Sequence, residues 1–271
     1  MRPLNIAHRG GAGLAPENTL AAFRDAVARG CDGAELDVQL SRDGTVVVHH
    51  DYRLMRDVTR KDGTWLDAPG PRIKDLNLTE LRQFDVGRPR PGSGYALRHP
   101  DLRAVDGEAV PTLNEVIVVA QSVTQPFLLL VELKCDLSDD SADPVALADA
   151  AMAVVQATRF QDRTVYVGFD WRALLRVKEK QPAARCWFTT DKLQDDVTPV
   201  LKAINVSGGE GWFPNWRDLT AERGAQARAL GLKLAAWTVN DPAEMQRLTA
   251  LGIDAICSDR PDLLQALEQR G

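Results

Sequence analysis

The sequence predicts an α/β protein, a TIM-type (β/α)8 barrel with a small insertion after the second strand region, and three observations lead there. From Thr112 onward, short apolar runs alternate with amphipathic stretches, a rhythm that requires a parallel sheet. Counting the two N-terminal strands gives eight core strands, and eight within 271 residues favour a closed barrel over a doubly wound sheet. Residues 51–110, rich in Arg, Asp, Pro and Gly, break the rhythm and read as an insertion on one rim. The expected organisation is one barrel domain over 1–271 that carries 51–110 as an excursion.

The first strand runs from Leu4 to His8, and an amphipathic helix follows from about Asn18 to Arg29, with Asn18 or Thr19 as cap and Gly30 as stop. "GAELDVQL" (33–40) sets Ala34, Leu36, Val38 and Leu40 on one face and Glu35, Asp37 and Gln39 on the other, a strand with one polar face. "SRDGTVVVHHD" (41–51) puts Asp43-Gly44 between two strand-like runs, a hairpin signal. A two-residue turn there pairs 42 with 45 and sets His50 opposite Asp37, with His49 facing away. Within the insertion only "LNLTELRQF" looks helical, so the segment is either a small lid or a solvated excursion.

Thr112 and Glu115 form a capping box at the start of the next helix, and "FLLLVELK" (127–134) is a buried strand. Helices at 143–158, 171–180, 193–204, 217–229, 241–250 and 261–269 then separate strands at 164–169, 184–189, 211–213, 232–238 and 253–258.

A 44% hydrophobic and 26% charged composition supports an ordinary core, and a formal net charge of -5 argues against general nucleic-acid binding or an anionic membrane surface. Cys31, Cys135, Cys186 and Cys257 are too scattered for a disulfide framework or a structural zinc site. The longest apolar run, "FLLLV", falls far below the ~18 residues needed to span a bilayer. Cytoplasmic residence without stable membrane association is the expectation, and a homo-oligomer stays open.

Chemistry concentrates at strand ends. "NIAHRGGAGLAPENT" (5–19) has the glycines of a dinucleotide-binding loop, but Pro16 replaces the third glycine and His8 and Arg9 crowd the turn. Glu35 and Asp37, two apart on a strand, point to one side, and two buried like charges need a cation or cationic side chains between them. Glu132 and Lys134 repeat the spacing at the end of a buried strand, where barrels build their sites. Three hard carboxylates suit Mg2+ or Ca2+ better than zinc. With such an ion they still sum to a negative charge, so Arg9 and Lys134 are what would admit an anion. His8 and His50 can divide acid and base work near neutral pH. A Schiff-base aldolase using Lys134 is a competing reading, and a non-catalytic anion-binding barrel is another.

The segments "HRG", "PENT", "ELDV", "DGTVVVHHD", "VPTLNEV", "VELK", "WTVN" and "SDRP", in this order and spacing, resemble the glycerophosphodiester phosphodiesterase family of phospholipase-C-like barrels. The resemblance implies metal-dependent hydrolysis of small glycerophosphodiesters to sn-glycerol 3-phosphate and an alcohol. It also implies an acid/base pair of His8 and His50, one divalent cation on Glu35, Asp37 and Glu132, and phosphate contacts from Arg9 and Lys134. Phe169 and Trp237 stand where aromatic rings could wall the glycerol end, while Glu17 and Asn18 read as structural holders of their loop. Two departures stand out: Ser258 where the family usually has Thr, and a longer insertion over 87–107.

Overall fold

Eight parallel strands close on themselves in the computed structural model, which describes residues 2–136, 138–139 and 142–269. They are β1 (Leu4–Ala7), β2 (Gly33–Leu40), β3 (Leu128–Leu133), β4 (Thr164–Gly168), β5 (Arg185–Thr190), β6 (Gly211–Pro214), β7 (Lys233–Ala236) and β8 (Ala255–Ser258). Each pairs in parallel with its sequence neighbour, and β1 pairs with both β2 and β8, which closes the ring. One helix follows each strand: α1 (Leu20–Ala28), α2 (Leu113–Gln121), α3 (Pro144–Ala157), α4 (Trp171–Lys180), α5 (Thr198–Val206), α6 (Ala221–Ala229), α7 (Pro242–Ala250) and α8 (Pro261–Glu268).

The strands sort their side chains into two cores. Ala34, Leu36 and Val38 pack outward with Phe23 of α1 and Leu113 and Val116 of α2. Ile6, Leu130, Val165, Val167, Trp187 and Phe213 fill the interior. The polar face of β2 therefore turns inward, leaving Glu35 and Asp37 only 2% and 1% exposed. Burial of this kind is unfavourable unless their charges are compensated.

The caps expected at Thr19 and Thr112 are present, the latter with the full reciprocal box to Glu115. Two helices start later than their sequence pattern suggests. The one expected over 193–204 begins at Thr198, because Pro199 fits only the first turn and the Asp196 carboxylate accepts the Thr198 N–H at 2.9 Å. The one expected over 217–229 begins at Ala221, after a 3-10 turn at Trp216–Asp218, with Thr220 as cap.

The hairpin register differs from the expected one. Ser41 and Thr45 close the turn, Gly44 adopts φ 74, and three residues rather than two form the loop. The cause is local: the Ser41 hydroxyl oxygen accepts the Thr45 N–H at 3.0 Å and donates to Asp43. Strand Val46–Val48 consequently pairs as Val38↔Val48, so the ladder sets His49, not His50, opposite Asp37, and the His49 N–H donates to the Asp37 carbonyl at 2.9 Å.

Between this strand and α2 the insertion folds as a small cap rather than a solvated excursion. Strands Arg60–Lys61, Thr64–Trp65 and Phe84–Asp85 form an antiparallel sheet, with helix Leu78–Leu81 before its last strand and helix Gly94–Arg98 after it. Leu54, Ile73, Leu81, Phe84 and Val86 gather with Val47 into a separate apolar cluster that seats the cap on the barrel.

Candidate active site

The site stands at the C-terminal ends of the strands. Past Ala7 the chain makes one 3-10 turn, His8–Gly10, in which Arg9 takes φ 50 and Gly10 and Gly11 take φ 83 and 98. Glycine is required at position 10, since a Cβ there would lie 2.7 Å from the Cβ of Ala22 in α1. Arg9 has no such exemption, and a non-glycine residue held left-handed is a conformational cost concentrated where function resides. The turn aims the Arg9 N–H at Glu35 Oε2, 3.0 Å away.

Glu35, Asp37 and Glu132 each offer one carboxylate oxygen, all within 4.8 Å of one another. The register explains the meeting, because Asp37 of β2 lies directly beside Glu132 of β3. Burial, followed by the Asp37 charge, pushes the Glu35 carboxyl up to about 8. Burial pushes Asp37 the same way, but the charges of Arg9, His50 and Lys134 reverse it and hold Asp37 well below the usual carboxylate range. Glu35 Oε1 is buried without a hydrogen-bond partner. Three converging carboxylates, one with an orphaned oxygen, fit a hard divalent cation of the Mg2+ or Ca2+ type.

The two cations stand against this cluster. Lys134 Nζ is 3.1 Å from Glu132 and 3.8 Å from Asp37. Burial lowers its pKa, yet those carboxylates raise it by more, which favours the ammonium form over the free amine that a Schiff base requires. Arg9 Nε lies 3.3 Å from Asp37, and Nη1 lies 3.1 Å from Glu17.

His8 Nδ1 is 2.6 Å from Asp259 Oδ1, and Nε2 is 3.8 Å from Glu35. With Nδ1–H donating to Asp259, the lone pair falls on Nε2, facing the carboxylates. Burial lowers the His8 value, but the Asp259 charge leads the effects that leave it raised overall. Asp259 itself is drawn down to about 2 against its own burial by His8 and by the Asn240 amide, which donates at 2.7 Å. The Ser258 hydroxyl donates to Asn240 at 3.0 Å, so the serine keeps a hydroxyl in this chain of contacts.

His50 comes to lie beside Lys134 by a route other than the expected register. The ladder ends at Val48, and the Gln39 amide donates to the carbonyls of His49, His50 and Asp51 at 2.7, 3.3 and 3.0 Å. The chain turns there, and His50 lines a cavity together with Lys134, its Nδ1 2.6 Å from Asp51. His49 is buried, and burial lowers its pKa.

Phe169 and Trp237 meet edge to face with centroids 5.3 Å apart, Trp237 donating to the Phe213 carbonyl. Glu17 and Asn18 do more than hold their loop. Asn18 donates to Asp37 Oδ2 at 2.8 Å, and Glu17 braces Arg9 while accepting the Tyr95 hydroxyl at 2.7 Å. Sequence reasoning had also given no role to Asp51, Tyr95, Asn240 and Asp259. The signal for Asp51, Asn240 and Asp259 was their place beside strand ends, in "HHD", "WTVN" and "SDRP", while Tyr95 had none.

Residues 8–263 match the profile of the glycerophosphoryl diester phosphodiesterase family. The chain is 30% identical over 271 residues to the glycerophosphodiester phosphodiesterase of Caldanaerobacter subterraneus subsp. tengcongensis, covering 100% of both. A crystal structure from Silicibacter pomeroyi DSS-3 superposes with a TM-score of 0.89 at 32% identity, covering 96% of this chain and 91% of that one. An Oleispira antarctica phosphodiesterase in complex with the product sn-glycerol-3-phosphate superposes with a TM-score of 0.80 at 28% identity, covering 99% of this chain and 97% of that one. The chain belongs to the glycerophosphoryl diester phosphodiesterase family.

Proposed function

We propose that this enzyme, a glycerophosphodiester phosphodiesterase by family, hydrolyses its substrates with His8 and His50 as the acid–base pair and one divalent cation on Glu35, Asp37 and Glu132. The observation that carries the reading is the inward carboxylate cluster with its orphaned Glu35 oxygen, flanked by two histidines with different partners. The product named for the Oleispira antarctica phosphodiesterase supports sn-glycerol 3-phosphate as the product here.

Held by Glu35, Asp37 and Glu132, a Mg2+ or Ca2+ ion would supply Lewis-acid polarisation of a phosphoryl oxygen. Arg9 and Lys134 offset the carboxylate charge so that a phosphodiester anion can approach. His8, fixed by Asp259, presents Nε2 to accept a proton from the attacking hydroxyl, whether that belongs to the glycerol or to water. His50, on the wall of the adjoining cavity, donates a proton to the departing alkoxide. Phe169 and Trp237 wall the glycerol end. The whole chain acts as one catalytic unit, with 51–110 forming the rim on the His50 side.

The test is a coupled assay for glycerol 3-phosphate across choline, ethanolamine, inositol and glycerol diesters, with and without EDTA. Release that chelation abolishes and Mg2+ or Ca2+ restores is expected. Release that is indifferent to chelation would remove the metal from the mechanism.

A further inference from the structure

A cavity of about 670 Å3 adjoins the reaction centre on the side of His50 and Lys134. One wall is the chain from His50 to Asp57, another is the insertion through Arg72, Tyr95 and Arg98, and a third is the loop after β3. His8, Phe169 and Trp237 are not part of its lining. A diester whose glycerol lies against the aromatic pair would therefore project its other alcohol into this cavity, beside the group that protonates it. The volume falls in the range of pockets that enclose whole ligands, far beyond a two-carbon alcohol.

The charge of the lining decides what it accepts. Arg53, Arg56, Arg72 and Arg98 face the cavity against the carboxylates of Asp51, Asp57 and Asp136. Those three are already engaged: Asp51 by His50 at 2.6 Å, Asp136 by Arg72 at 3.2 Å and Asp57 by Arg56 at 3.6 Å. Arg53 donates to the Gly70 carbonyl at 3.2 Å, and Arg98 lies 6.0 Å from the Tyr95 ring centroid. Among the described residues these contacts are to a carbonyl and a ring, and neither Arg53 nor Arg98 forms an ion pair with a carboxylate. Guanidinium groups in this state grip carboxylates and phosphates through paired N–H donors.

A quaternary ammonium group would need open aromatic faces instead. The aromatic residues of the lining are Tyr52 and Tyr95. Tyr95 is 94% buried, as its 6% exposure shows, and packs on His99 at 4.6 Å, while the Tyr52 hydroxyl is committed to the Cys135 carbonyl at 2.7 Å. No aromatic cage for a trimethylammonium group is formed by them.

We infer that this cavity is the leaving-alcohol subsite and that it selects alcohols bearing an anionic group, a carboxylate or a second phosphate, through Arg53 and Arg98. The inference rests on the phosphodiesterase reading above and adds the class of its substrate. Because the guanidinium groups are exposed, the preference is greatest at low ionic strength and weakens with salt.

The test compares kcat/KM for four glycerophosphodiesters whose second alcohols are glycerol, glyceric acid, glycerol phosphate and choline. The expected order places both anionic alcohols about tenfold or more above glycerol, with choline lowest, as one charge-assisted pair would produce. In the Arg53→Ala/Arg98→Ala protein the anionic-to-neutral ratio falls to within about threefold of unity. That ratio is taken within one preparation, so a partly unfolded fraction cancels. A gain for only one anionic arm would identify which group, carboxylate or phosphate, the subsite holds and would still support it. A wild-type ratio near unity, a preference for choline, or a ratio unchanged in the double variant would overturn the subsite while leaving the phosphodiesterase reading intact. Release of sn-glycerol 3-phosphate from none of the diesters would overturn both.

Discussion

Asn18 offers a sharp perturbation of the proposed metal site without replacing a ligand. It is 2% exposed, holds φ 56, donates from its amide to Asp37 Oδ2 at 2.8 Å, and accepts the Asp37 N–H at 3.3 Å. Asn18→Gly tolerates the left-handed backbone and deletes both contacts. Losing a hydrogen bond to a buried charge costs about 1.5–3 kcal/mol. Loss of a group that orients a metal ligand typically weakens metal binding about 10–100-fold, which corresponds to about 1.4–2.8 kcal/mol. The two routes agree, so the dissociation constant for Mg2+ or Ca2+, read by calorimetry, rises by one to two decades. Asn18→Ala loses the same contacts and adds about 1–2 kcal/mol of left-handed strain, so its melting temperature falls below that of Asn18→Gly while its metal affinity is similar. Wild-type affinity in Asn18→Gly, within about twofold, would show that Asp37 is not a ligand or does not depend on Asn18.

His50→Ala lowers kcat by about 10²-fold or more, whereas His49→Ala keeps kcat and destabilises the fold by about 2 kcal/mol, because a buried ring is removed; a matching loss of kcat at His49 would contradict the placement. Gly10→Ala puts a Cβ 2.7 Å from Ala22 Cβ at φ 83, and urea denaturation should show about 2 kcal/mol or more lost; an unchanged midpoint would refute the packing argument. At the opposite side of the barrel from chemistry in role, Glu210 accepts from Trp187, Arg185 and Lys233 at 2.8, 3.0 and 2.9 Å, and these partners outweigh burial and lower its pKa. A lowered carboxyl contributes stability above its unfolded value, near 4.3, and loses it as pH falls through the folded value. Glu210→Gln should therefore be less stable than wild type at pH 7 by about 1–3 kcal/mol, with the difference shrinking in acid; a constant difference down the pH scale would contradict the sign.

The barrel was legible because its signals are long-range and redundant. Alternation in "GAELDVQL" marked the polar face, and the strand–helix rhythm after Thr112 marked the ring. What failed was local. Asp43-Gly44 signals a hairpin equally well with two or three loop residues, and the Ser41 side chain chose three. His50 lines the cavity beside Lys134 for a reason not visible in strand counting, the Gln39 amide that takes over where the ladder ends. The cap over 51–110 has elements too short for periodicity, and its core draws on Leu54, Ile73, Leu81 and Phe84 across many turns. The ligand-type side chains were readable as residue types at strand ends, but the groups that orient them were not. Asn18, Tyr95 and Asp259 act through contacts between segments up to 251 residues apart, as between Asp259 and His8.

The division of labour in which His50 protonates the leaving group and His8 serves the nucleophile is tested most directly by leaving-group chemistry. kcat for His50→Ala and His8→Ala is measured, with metal present, on a choline diester and on the corresponding 4-nitrophenyl diester, whose phenolate departs without a proton. His50→Ala should lose about 10²-fold on the choline diester and nearly nothing on the aryl one, and His8→Ala should lose comparably on both. Equal losses for His50→Ala on the two substrates, or selective rescue of His8→Ala by the aryl group, would contradict the assignment.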